Sequence, residues 1–119
     1  MHVIARKKLA EFWATEPKAE QPLSAWFHAV EAALWSNFGD VRQTFNTADR
    51  VRHLTIFDIG GNKYRLIAFV DYQFSAVFVR AVLTHKEFQR GAWQSDDFGS
   101  KPHPSRKRVK GTRKWQPKR

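Results

Sequence analysis

The chain contains no cysteine, which excludes both a disulfide framework and a thiolate metal site. Its five histidines, His2, His28, His53, His85 and His103, show no metal-ligand spacing, so neither a metal nor another cofactor is expected. No stretch approaches the roughly 18 consecutive apolar residues of a membrane span, and no membrane partner is expected. The opening Met-His-Val-Ile-Ala-Arg-Lys-Lys places its basic cluster after a very short apolar stretch, the reverse of signal-peptide order. The expected location is therefore the cytoplasm.

Acidic residues are absent from residues 101–119, which hold nine Lys/Arg. The other twelve basic residues share residues 1–100 with all eleven acidic ones, so the formal charge of +10 belongs mostly to the tail. Such a tail favours any polyanion without sequence preference, and Lys107, Arg108 and Lys110 at its centre are candidate RNA contacts. It identifies no reaction.

At 119 residues the chain is expected to form one domain with a short appendage. His2 to Ala5 is β-prone, and Arg6 to Ala14 reads as a helix with Leu9, Phe12 and Trp13 on one face. A second helix is expected to start between Pro17 and Pro22 and to run to about Asn37. Leu23, Trp26, Phe27, Val30, Ala33 and Leu34 form its core-facing stripe. Trp26 and Trp35 read as packing residues. Residues 40–52 form a polar connector with room for one helical turn. His53 to Ile59, Asn62 to Asp71 and Ser75 to Leu83 then read as an antiparallel meander. Thr84 caps a final short helix, with Glu87 completing a capping box. The fold class is α+β, with residues 1–94 as the folded unit and residues 95–119 as a basic, flexible extension.

Two strand-like runs, GGNKYRLIAFV and VFVRAVLTHKE, each carry an arginine in the middle. A two-residue Gly60-Gly61 turn would pair Ile59 with Asn62 and set Ile56 across from Arg65. A loop from Asp71 to Phe74 would then set Arg65 opposite Arg80. Alternation places Tyr64, Leu66, Val77, Val79, Ala81 and Leu83 on a helix-packing face. Lys63, Arg65, Ile67, Phe69, Phe78, Arg80 and Val82 fall on the other. Facing arginines repel unless an anion joins them, so the second face is a candidate phosphate site. The alternative is that each arginine pairs with a carboxylate such as Asp58, Asp71 or Glu87. His85 and Lys86, at the end of the third run, offer a proton-transfer group and a further cation beside a helix N-terminus.

These parts, in this order, resemble the HigB toxins of the RelE-like superfamily. The resemblance rests on Gly60-Gly61-Asn62, Tyr64-Arg65-Leu66 and Thr84-His85-Lys86-Glu87-Phe88, with Arg80 between them and Met-His at the start; it covers roughly residues 1 to 93. It implies a RelE-like fold and a type II toxin that cleaves messenger RNA on the ribosome. A HigA-like helix-turn-helix antitoxin would neutralise it and bind operator DNA with it. The implied chemistry is metal-independent attack by the RNA 2′-hydroxyl. Arg65 and Arg80 would clamp the phosphate, His85 would move a proton, and Lys86 or Lys63 would add charge. Phe69 and Phe78 are candidates either for stacking a splayed base or for sheet packing. Two other functions keep the same fold: a gyrase-binding toxin without nuclease activity, and a non-catalytic RNA- or ribosome-binding module.

Overall fold

Apolar residues at helical spacing give way near residue 50 to alternating ones, and the architecture follows that change. The structure is a computed structural model describing residues 1–101. Helix α1 (Lys7–Thr15) buries Leu9 and half-buries Phe12 and Trp13. A 3₁₀ turn (Pro17–Ala19) leads into α2 (Glu20–Ala32), whose Leu23, Trp26 and Val30 form the buried stripe. Pro22 lies in the first turn of α2, where its missing amide has no intrahelical role.

Helix α2 stops short of the expected Asn37. Ala33 turns extended (ψ 154°), and the Met1 amino group donates to the Ala33 carbonyl, which the helix end leaves open, and joins the Ala33 amide on the Val30 carbonyl. The turn swings Trp35 inward, where its indole N–H donates to Thr44 Oγ1 at 3.1 Å. It also carries Leu34 out of the expected stripe to 84% exposure. The connector holds helix α3 (Phe38–Thr44), capped by Asn37, whose side chain accepts the Asp40 amide at 2.9 Å.

The strands are β1 (His2–Ile4), β2 (Asp49–Val51), β3 (Leu54–Ile59), β4 (Tyr64–Asp71) and β5 (Ala76–Thr84). They form one sheet in the order β1-β5-β4-β3-β2, with β1 parallel to β5 and the other pairs antiparallel. The expected meander thus gains a strand at each edge. Helices α1 and α2 cover one face. There Phe57 is fully buried, its ring centroid 5.3 Å from those of Trp26 and Phe45 and 6.2 Å from that of Trp35. Each large side chain buried in this way contributes roughly 1.5–3 kcal/mol.

The hairpins correct the expected register. The β3–β4 turn takes four residues, Gly60 to Lys63, with positive φ at Gly60, Gly61 and Asn62. Asp58 therefore pairs with Arg65, and Ile56 with Ile67. This two-residue shift leaves every side chain on its expected face. In the next hairpin Asp71 pairs with Ala76, and farther along Ala81 pairs with Ile67 while Val79 pairs with Ala68. Arg80 is the extra residue of a β-bulge. The bulge reverses the alternation beyond it, so Ala81 and Leu83 join the second face and Val82 packs with the helix-side core, opposite to the expected assignment. The hairpin register is shifted by two residues from the expected one and the bulge adds one more, so Arg65 faces Leu83, not Arg80.

Helix α4 (His85–Arg90) begins as expected. Thr84 Oγ1 accepts the Glu87 amide at 3.2 Å and Glu87 Oε1 accepts the Thr84 amide at 2.9 Å, the two reciprocal bonds of a capping box. Gly91 ends it in the left-handed conformation. Among the described residues no helix is long and apolar enough to cross a membrane.

Candidate functional site

The second sheet face carries a small core of its own. Leu54, Ile56 and Ile67 are buried there, and Ala81, Leu83, Phe88 and Trp93 pack against them. Phe88 of α4 stacks on Trp93 (centroids 5.1 Å apart), whose indole N–H donates to the Phe88 carbonyl at 3.0 Å. This aromatic pair aims the chain after α4 back across the sheet.

Arg65 stands at one end of the face with only 11% of its side chain exposed. Its Nε is 3.1 Å from Asp58 Oδ1, its Nη1 donates to the Asn62 carbonyl at 3.0 Å, and its guanidinium lies 4.9 Å from the centroid of the Phe88 ring. The carboxylate partner foreseen as an alternative is thus present. Arg65 is anchored, and through Phe88 it fixes the seat of α4.

Arg80 is more open, with one-third of its side chain exposed. Its Nε donates to Asp96 Oδ2 at 2.8 Å, and its guanidinium lies 4.3 Å from the centroid of the Phe98 ring. Phe98 in turn contacts Phe78 (5.1 Å) and Phe69 (6.0 Å), and those two rings stack on each other at 6.0 Å. The residues after the 3₁₀ turn (Ala92–Ser95) therefore cross the face as a strap, where sequence composition had placed a flexible extension.

Further contacts hold the strap on the sheet. His53 Nε2 bonds the Asp96 carbonyl at 2.8 Å, and the Arg52 guanidinium donates to the Gln94 carbonyl. Gly99, at φ +81°, lies so close to Phe69 that a Cβ would meet the ring at 2.5–2.7 Å. Only glycine fits that approach. Individually the bonds are weak: a partly exposed ion pair is worth about 0–1 kcal/mol, and a cation–π contact at an exposed site about 0.5–1 kcal/mol. Burial pushes the Asp96 carboxyl up, yet the Arg80 hydrogen bond, the Phe98 amide and the charges of Arg80 and His53 outweigh it and hold its pKa below the ordinary 3.8.

His85 and Lys86 sit exposed in the first turn of α4, and Lys63 is exposed in the β3–β4 turn. Lys107, Arg108 and Lys110 lie outside the described residues. His53 and Arg52 gather beside Arg80's partner Asp96, although sequence reasoning left them unassigned. Both sit at the β2–β3 turn, and β2, three residues long, has too few positions to show an alternating pattern. A cleft of about 310 Å³ runs alongside, lined by Arg50, His53, Thr55, Phe69, Asp71 and Gly99 among others. Among the described residues no group of three or more His, Asp or Glu side chains is placed to share a metal ion.

The face thus joins a half-open guanidinium, aromatic surfaces and an imidazole, a combination suited to a phosphodiester with an unstacked base. A family model described as HigB_toxin, the RelE-like toxic component of a toxin–antitoxin system, matches residues 19–91. The mRNA interferase toxin HigB of Escherichia coli strain K12 is 26% identical over 91 residues, covering 74% of this chain and 88% of that protein. The mRNA interferase HigB of Shigella flexneri matches to the same extent. That of Escherichia coli O6:H1 strain CFT073 is 23% identical over 93 residues, covering 76% and 90%. The matched span holds α2 through α4, with β2 to β5 and both arginines inside it, and the chain belongs to the HigB family of RelE-like toxins, the toxic component of a toxin–antitoxin system.

Proposed function

We propose that the protein is an endoribonuclease that cleaves messenger RNA on the ribosome and so inhibits translation. The observation that carries this reading is Arg80, a guanidinium one-third exposed and set by a β-bulge beside the Phe69–Phe78 ring pair. The relatives' name, mRNA interferase, supports it.

RNA carries its own nucleophile, so the protein need supply only proton transfer and positive charge. The 2′-hydroxyl loses its proton to a base and its oxygen attacks the adjacent phosphorus. The P–O5′ bond breaks, the departing oxygen takes a proton, and a 2′,3′-cyclic phosphate remains. Arg80 binds the phosphate and stabilises the charge that builds on it. Arg65 adds charge from beneath α4, and His85 transfers a proton. Lys86 and Lys63, both exposed near that end of the face, attract the backbone. Phe69 and Phe78 take an unstacked base. No step calls for a metal ion or a cofactor.

The functional unit is residues 1–94, on whose sheet the following residues to 101 rest. The remaining tail, with Lys107, Arg108 and Lys110, attaches the toxin electrostatically to ribosomal RNA. A HigA-like helix-turn-helix antitoxin neutralises the protein in the cytoplasm, and their complex binds operator DNA.

The test is a reconstituted translation reaction on a defined message. The expected products are fragments with cyclic phosphate ends, formed about 100-fold or more slowly with Arg80→Ala. Intact message after incubation with the wild-type toxin would remove the nuclease reading. Products with other ends would remove the 2′-hydroxyl mechanism.

A further inference from the structure

We propose that the strap is a built-in pseudosubstrate, with Asp96 occupying the phosphate subsite and Phe98 the base subsite of the RNA-binding face. The inference rests on the RNA reading above and adds to it a gate and a further contact residue, His53.

The strap reproduces the chemistry of one nucleotide. Its carboxylate lies on the Arg80 guanidinium at 2.8 Å, as a phosphate oxygen would. Its aromatic ring packs against Phe78 and Phe69 beneath the same guanidinium, as a splayed base would. His53 holds the intervening backbone through the Asp96 carbonyl, so the imidazole stands at the edge of the phosphate subsite. The family match ends at residue 91, which places the strap beyond the span that defines the toxin. Its tight seat depends on Gly99, which alone allows the backbone to lie against Phe69.

RNA and strap therefore compete for Arg80, Phe69 and Phe78. A docked strap keeps only a fraction of the molecules competent, and the apparent dissociation constant rises by the inverse of that fraction. When the strap lifts, the open face continues into the cleft lined by Arg50 and His53, a path for the neighbouring nucleotide.

The experiment uses the full chain and a fluorescent single-stranded RNA with 2′-O-methyl sugars, which binds without being cleaved. Gly99→Ala and Asp96→Asn release the strap without altering any group assigned to RNA. NMR of the Phe98 ring, followed without RNA, reports that release directly. Both variants are expected to bind the RNA about tenfold tighter than wild type, the factor for a competent fraction rising from about one-tenth to nearly all. In wild type, RNA is expected to shift the Phe98 resonances to those of the released state. His53→Gln in the Gly99→Ala background is expected to reverse part of the gain.

Unchanged affinity in variants whose strap is released overturns the pseudosubstrate. RNA that binds while Phe98 stays docked does the same. Failure of wild type and released variants alike to bind RNA overturns the strap as a gate on RNA binding, while the nuclease reading stands or falls on the translation reaction above.

Discussion

Asp58 and Arg65 stand directly across the β3–β4 ladder, the carboxylate 3.1 Å from the guanidinium Nε. Arg65 is the more buried partner and also braces Phe88. Asp58→Asn is expected to cost about 1–3 kcal/mol in urea unfolding, since a hydrogen bond to a charged partner is weakened in partly buried surroundings. Growth inhibition should persist, because the aspartate only anchors. Arg65→Ala should lose both stability and toxicity.

Arg80→Ala separates function from folding more cleanly. Its ion pair is partly exposed and worth about 1 kcal/mol or less, so the melting temperature should fall by no more than about 8 °C. RNA cleavage should fall by about 100-fold or more if the guanidinium stabilises the transition state. Growth assays, with antitoxin binding as the control for folding, check both expectations. Full toxicity in this variant would remove the face as the site.

Thr84→Ala removes the side-chain half of the α4 capping box and is expected to cost about 1 kcal/mol. Since His85 and Lys86 follow at once, activity should drop alongside helix order. Thr84→Ser keeps the hydroxyl and should restore both, as chemical denaturation and cleavage assays would show.

Phe57→Ala opens a cavity among Trp26, Trp35 and Phe45. The expected loss is about 3–5 kcal/mol, a large part of the stability of a domain this size. Calorimetry should show a much lowered transition or none.

Strap docking should depend on pH through Asp96, whose pKa in the docked state lies below 3.8. For a depressed carboxylate, the stabilisation is fully present above 3.8 and is lost as pH falls through the docked value. NMR of Phe98 should therefore show release only in acid below 3.8, and Asp96→Asn should abolish that transition.

Particular residues show which parts of this architecture a sequence reader can recover. Side-chain parity survived an error in the β3–β4 turn because the error was two residues, an even number. The bulge at Arg80 adds an odd residue, and no local residue type announces it, so Val82 and Leu83 exchanged faces. Thr84 and Glu87 were legible because capping is a contact between near neighbours. The Asn37 cap of α3 offered a similar local cue, an acceptor three residues before Asp40, but the helix behind it is short and polar. The strap was hidden for a different reason. Asp, Gly and Ser read as solvent-loving, and only the tertiary position of Arg80 and the Phe69–Phe78 pair gives Asp96 and Phe98 a place to dock.

Strand β1 pairs in parallel with residues 76–78 of β5, a partner that lies most of the described chain away. During synthesis β1 waits for β5 to be made, so the sheet cannot close before that strand is available. Loop-closure entropy makes such distant pairing a slow step. Until then the bulge that presents Arg80 has no completed sheet to stand on, and toxicity is expected to mature only after β5 has been made and has paired.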